Sequence, residues 1–308
     1  MKITIEKPVS VLRGEKPTRF PYCNCLLIED QTRALIETGT ELPVLAESGP
    51  ESVEVVLNSH AHLDHMHGNW AFPRARIGFH PAEAPLAQSG EAFARNFVLG
   101  LWPRFMNVPL NLKLQFDRPQ EYLAFQDTRL VHFPASRVDF TFDDGDELDF
   151  GQVKLQVLHT PGHCRGHCCF YWEREGILFS SDIDFTSGGP WYGNESADLD
   201  EFIASVRRIV EIAPRITIPA HGRVISGGLE QLAQSYLDHI HRRDESILSL
   251  LSRPSTLQQL SEQRLIYPER LHPIFEFWEK VMVYKHLTRL IKLGEVRQQG
   301  DTYFRSPG

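Results

Sequence analysis

The sequence contains no apolar run approaching the ~18 residues needed to cross a bilayer. Its opening stretch, MKITIEKPVSVLRGEK, has neither an apolar h-region nor a small-residue cleavage site. Neither membrane insertion nor secretion is expected. Cysteine is scarce: five residues, an odd number with no disulfide-framework spacing. Reduced thiols in a cytoplasm are the expectation, with Cys23, Cys25, Cys168 and Cys169 read as buried strand residues. Basic charge is also in deficit. The formal net charge of −8 argues against a general nucleic-acid coat. The deficit is uneven, because residues 240–308 hold 11 Lys/Arg against 8 Asp/Glu and the remainder 21 against 32. Internal repeats and low-complexity tracts are absent.

What is present is a chain of 308 residues, 42% hydrophobic and 23% charged, long enough for one large globular domain or one and a half. Short β-rich runs recur, each followed at once by polar residues able to do chemistry. CLLIED and RALIETG read as a hairpin, while VEVVLN, VKLQVLHTPGH, GILFSSD and RITIPAHG read as strands with functional ends. DLDEFIASVRRIVEIA carries apolar residues at helical spacing behind a run of acids, a helix start. The mixture predicts an α/β protein with two sheets covered by helices, an αββα sandwich over residues 1–235. Residues 80–140 interrupt the strand rhythm with aromatics and prolines, an insertion that is either a packed elaboration or a lid. Residues 236–308 read as three helices and a hairpin over EVRQQGDTYFR, a helical, winged-helix-like order.

The densest chemistry lies in SHAHLDHMHGN, residues 59–69. A metal site needs neutral imidazoles and ionised carboxylates within ~2.0–2.2 Å of a cation. His60 and His62, two apart on a tight loop, can face one ion, with Asp64 and His65 facing a neighbouring position. His163 in TPGH, Asp182 in LFSSD and His221 in PAHG each follow an apolar strand, where sheet-edge loops converge.

Together, HAHLDH, TPGH, the aspartate of LFSSD and the histidine of PAHG make the chain resemble the metallo-β-lactamase superfamily over roughly residues 20–235. The resemblance implies a two-metal site at one sandwich edge. His60, His62 and His163 would hold the first metal; Asp64, His65 and His221 the second; Asp182 would bridge. Seven N and O ligands without cysteine suit Zn²⁺, with Fe or Mn as alternatives. A hydroxide shared between two such cations is a nucleophile at neutral pH, with Asp64 orienting it and relaying a proton.

Two positions depart from the superfamily pattern: His67-Gly68 stands where Gly-Gly is frequent, and Ser181 where a glycine often precedes the bridging aspartate. His67 is read as a non-ligand, a supporting, substrate-contacting or packed residue whose ring a helix start would turn away. His167 is expected to support or pack, Cys164 to be a strand-edge thiol, and His159 to lie in the core or on a sheet face. GGPWYGN, residues 188–194, is expected either to wall a substrate pocket with Trp191 and Tyr192, Tyr192 as an oxyanion donor, or to pack those two rings against the insertion.

The principal expected function is hydrolysis of an ester, thioester or lactone of a small molecule. A phosphodiesterase or endoribonuclease is the alternative, because HIHRRDESILSLL and HLTRLIKLGEV resemble the β-lactamase-like protein 2 branch, where a winged-helix-like domain follows the hydrolase and one member cleaves RNA. The thin basic surplus disfavours nucleic acid; packing, dimerisation or pocket shaping is the expected use of this region. An iron-dependent dioxygenase is the third reading, without a flavin partner, since His62 stands where flavin-linked relatives carry glutamate. β-Lactam hydrolysis is not expected without a secretion signal.

Overall fold

The computed structural model describes residues 1–14, 18–108, 135–268 and 273–307. Period-2 alternation builds the first sheet: β1 (Lys2–Glu6), β2 (Val9–Leu12), β3 (Cys25–Glu29), β4 (Arg33–Ile36), β5 (Val55–Leu57), β6 (Arg76–Phe79) and β7 (Phe140–Thr141), hydrogen-bonded in that order. The pairs from β1 to β4 are antiparallel and those from β4 to β7 parallel. The second sheet holds β8 (Glu147–Asp149), β9 (Lys154–His159), β10 (Cys168–Trp172), β11 (Ile177–Ser181) and β12 (Ile216–Pro219), in the order β12-β11-β10-β9-β8.

Alternate residues of each strand enter different layers, as the pleat requires. Leu26, Ile28, Val157, Phe170 and Phe179 meet between the sheets. Their neighbours Leu27 and Val56 face an outer layer with α1 (Leu42–Leu45) and α2 (Leu63–Met66). On the opposite side Leu158, Cys169 and Leu178 face α6 (Leu199–Ile212) and α7 (Leu229–Leu250). These are the four layers expected. All five cysteines are free and buried.

The insertion after β6 supplies α3 (Ala84–Gln88), α4 (Gly90–Ala94) and α5 (Trp102–Phe105); its remainder, 109–134, lies outside the described residues. Trp102, Phe105 and Met106 pack on Phe277 and Val281 of α9 (Pro273–Lys292). The C-terminal region continues with β13 (Ser255–Thr256), α8 (Leu257–Ser261), α9 and the hairpin β14 (Val296–Gln299)–β15 (Thr302–Arg305), in a three-stranded sheet ordered β13-β15-β14. The expected boundary after residue 235 falls inside α7. Its first half (Leu229, Ala233, Leu237) packs in the main core and its last turns (Ile247) in the C-terminal core. Among the described residues no helix is long and apolar enough to cross a membrane.

Candidate metal centre

The strand-end loops bring the seven side chains together. His60, His62, His163 and Asp182 present ligand atoms within 4.8 Å of one another, and so do Asp64, His65 and His221. Asp182 stands between the two groups. Its Oδ2 lies 3.1 Å from His163 Nε2, while its Oδ1 lies 3.0 Å from His65 Nε2 and 3.4 Å from His221 Nε2. Asp64 Oδ2 is 3.3 Å from His221 Nε2.

The far nitrogens of His60, His163 and His221 are held by the protein, as in histidines oriented for a metal. His60 Nδ1 lies 2.8 Å from Ser59 Oγ. His163 Nδ1 donates to the Trp191 carbonyl (3.0 Å) and His221 Nδ1 to the Tyr22 carbonyl (3.1 Å). His65 Nδ1 faces Glu37 Oε1 at 3.3 Å without hydrogen-bond alignment.

The inner atoms are left over. His60 Nε2, both His65 nitrogens and Asp182 Oδ1 are buried without a hydrogen-bond partner, half of all such side-chain atoms among the described residues. Each would cost ~1–3 kcal/mol if it stayed unsatisfied. His62 Nδ1 and His163 Nε2 lie 3.0 Å apart, a distance natural for two lone pairs directed at one cation. Divalent cations therefore fit both clusters.

Electrostatics sorts the donors. Burial, reinforced by neighbouring rings, pulls His60 and His62 well below the ordinary imidazole range, leaving them neutral. Burial acts the same way on His221, but Asp182 and Asp64 overcome it and push the ring up to about 10. Burial would raise Asp64, yet His65 and His221 hold it down to about 2. The carboxylates of Asp182 and Asp64 thus favour the protonated form of both His65 and His221 in the metal-free fold.

Both departures from the superfamily pattern have local causes. Residue 67 has φ −61°, ordinary helical backbone that any side chain tolerates. The glycine is required at 68, where a Cβ would sit 2.4 Å from the Thr38 carbonyl. The His67 ring contacts the Leu63 carbonyl through Nδ1 (3.1 Å) and joins neither cluster. Ser181 has φ +49°, a left-handed conformation that glycine adopts without penalty. Its hydroxyl lies 2.6 Å from Ser59 Oγ, which in turn meets His60.

Around the ligands, Trp191 packs on His62 and His163, with Phe97 of the insertion against both Trp191 and His62. Trp191 thus lies against two rings of the first cluster. Tyr192 requires a correction: its ring is fully buried, and its hydroxyl is taken by Arg243 (2.8 Å) and His286 Nε2 (2.6 Å) on the C-terminal helices. Burial raises its pKa to about 12. It cannot donate to an oxyanion.

His167 Nε2 accepts the Asp182 backbone N–H (3.2 Å) and its Nδ1 reaches the Thr160 carbonyl (3.0 Å), a supporting role. His159 stacks on His80 with ring centroids 4.4 Å apart, and Cys164 is buried beside Glu83, its thiol pushed up by burial first and that carboxylate second.

Three buried groups escaped the sequence reading. Glu37 accepts from Ser59 N and Asn58 Nδ2. Glu83 accepts from Ala61 N and Gly166 N, tying the two histidine loops together. Asn194 donates to the His163 carbonyl and lies 3.4 Å from His62 Nε2. Only Glu37 had a visible signal, an acid followed two residues later by glycine at the end of RALIETG.

A four-layer sandwich with two juxtaposed histidine–carboxylate clusters at the ends of its strands defines a metal-binding protein of the αββα class. A family model described as the metallo-beta-lactamase superfamily matches residues 18–221, and the chain belongs to that superfamily. It is 27% identical over 285 residues to a beta-lactamase-like protein 2 homolog of Drosophila melanogaster, covering 88% of this chain and 82% of that one. It is 28% identical over 197 residues to an acyl-coenzyme A thioesterase of Gallus gallus, covering 62% and 64%. Among solved structures, a metallo-beta-lactamase family protein of Thermus thermophilus superposes with a TM-score of 0.77 at 26% identity, over 98% of this chain and 100% of that chain. The likeness therefore includes the C-terminal helices.

Proposed function

We propose that this protein is a dinuclear-metal hydrolase that cleaves a small-molecule thioester, with esters and lactones in the same acyl class. The observation that carries the reading is Asp182, whose two carboxylate oxygens each face one of the two histidine clusters. Two divalent metals bound there, Zn²⁺ foremost and Fe or Mn as alternatives, supply Lewis acidity and lower the pKa of water toward neutrality. Asp64, already ionised, accepts the proton of the attacking water and returns it to the leaving group. Burial holds His60 and His62 as neutral donors, and Trp191 packs over His62 and His163 with Phe97 behind it. The named thioesterase relative supports a thioester over other acyl substrates.

The basic residues of α9 support a packing role over nucleic-acid contact. Lys280 is spent on the Phe105 carbonyl, Lys285 on those of Glu195 and Ala197, and Arg289 and Lys292 on Asp200. The test is metal analysis of the purified protein followed by acyl-coenzyme A, lactone, phosphodiester and RNA substrates. Metal-dependent release of free coenzyme A thiol is expected; turnover of RNA without any acyl substrate would overturn the reading.

A further inference from the structure

The loop 188–197 carries two of the contacts that fix metal-facing histidines, and its own backbone is gripped from outside the sandwich. Arg243 of α7 donates to the carbonyls of Gly188 (3.2 Å) and Pro190 (3.3 Å) and to the Tyr192 hydroxyl (2.8 Å). Tyr192 in turn donates to His286 Nε2 (2.6 Å), and His286 Nδ1 donates to Asp244 Oδ1 (2.7 Å). At the far end, Lys285 of α9 donates to the carbonyls of Glu195 (2.6 Å) and Ala197 (2.8 Å). Arg243, His286 and Asp244 are all buried, and every step of this chain is a paired polar contact. Between the two grips sit the Trp191 carbonyl, which receives His163 Nδ1, and Asn194, which meets His62 Nε2 and the His163 carbonyl. Toward the second cluster, among the described residues, these helices offer Tyr236, whose hydroxyl reaches the Asp182 backbone carbonyl (3.4 Å) and the Asp184 carboxylate (2.8 Å) but no ligand-bearing ring. His221 is anchored by Tyr22 and His65 faces Glu37, both on the N-terminal side of the fold.

We infer that Arg243, Tyr192, His286 and Lys285 are positioning residues through which the C-terminal helices fix His62 and His163, making one metal subsite, and not the other, dependent on that region. This requires only that the clusters bind divalent cations; it does not depend on the substrate proposed above. Buried polar chains of this kind hold a single geometry because a displaced member leaves its partners unsatisfied. The groups that orient a ligand histidine typically change metal affinity about 10- to 100-fold when removed.

The test is stepwise zinc titration of the metal-free full-length protein against a chromophoric chelator. The step abolished by His62→Ala identifies the first subsite, and the step abolished by His221→Ala the second. Arg243→Met and Tyr192→Phe are expected to weaken the first step about 10- to 100-fold and leave the second unchanged, with Lys285→Met as an independent variant should either fold poorly. Leu287→Ala, in the C-terminal core cluster to which no residue of the loop belongs, is expected to lower the melting temperature and leave both steps intact. Equal weakening of both steps, no weakening of either, or the same selective loss in Leu287→Ala would overturn the inference. Wild-type protein that binds no zinc would overturn the metal reading itself, a separate result.

Discussion

Asp182 is the residue on which both clusters converge, and His67 the one in the same motif that joins neither. Asp182→Ala and His221→Ala are each expected to lose bound metal and activity, whereas His67→Ala should retain the wild-type metal content by mass spectrometry. Metal loss in the His67 variant would mean that the Leu63 contact, not the ring's absence from the clusters, decides its role. Protons make a second prediction. His221 titrates near 10 in the metal-free fold against about 6.5 unfolded. Its protonated form therefore stabilises the apo-protein fully below pH ~6.5, and that contribution disappears as pH rises toward 10. Urea unfolding of apo-protein should give a lower midpoint at pH 9.5 than at pH 7, while metal affinity should strengthen over the same interval because the imidazoles must be neutral to bind. The seven clustered side chains were readable because they stand in the His-x-His-x-Asp-His spacing or just after an apolar run. Glu83 and Asn194 were not, since they act on backbone groups and ring nitrogens tens of residues away and leave no local pattern, and Glu37 left only the glycine two residues on.

Strand ends, more than strands, carry the working parts of this molecule. The turn out of β11 places Ser181 at φ +49° immediately before Asp182, a conformation costing ~1–2 kcal/mol for a residue with a Cβ. Ser181→Gly relieves that strain but loses the Ser59 contact, whereas Ser181→Ala loses the contact and keeps the strain. The alanine variant should be the less stable of the two by about 1 kcal/mol in denaturant unfolding. A reversed order would show that the turn is relaxed. The strands and α6 were legible in advance: their alternation, and the Asp198 side chain accepting from the N–H groups of Asp200 and Glu201 at the helix start, are local signals. The purpose of the GGPWYGN loop was not. Its aromatics pointed to a pocket wall, and Trp191 does lie against His62 and His163. Tyr192, one residue on, faces the opposite way, and its partners Arg243 and His286 come from helices distant in sequence.

At the level of the whole molecule, α7 belongs to two cores at once, its early turns to the sandwich and its last to the C-terminal bundle. A shared helix couples their unfolding. Metal-free protein should therefore melt in one transition, with tryptophan fluorescence and far-ultraviolet circular dichroism giving coincident midpoints. Two separated midpoints would mean that α7 frays at its middle. The grip on loop 188–197 has a further consequence in time. A chain is made from its N-terminus and its units fold as they emerge. All seven metal-facing residues, the last being His221, leave the ribosome before Arg243, Lys285 and His286 do. The first cluster thus acquires its final geometry only when synthesis has passed α9, and a nascent chain stalled short of that helix would carry every ligand yet lack the contacts that aim two of them.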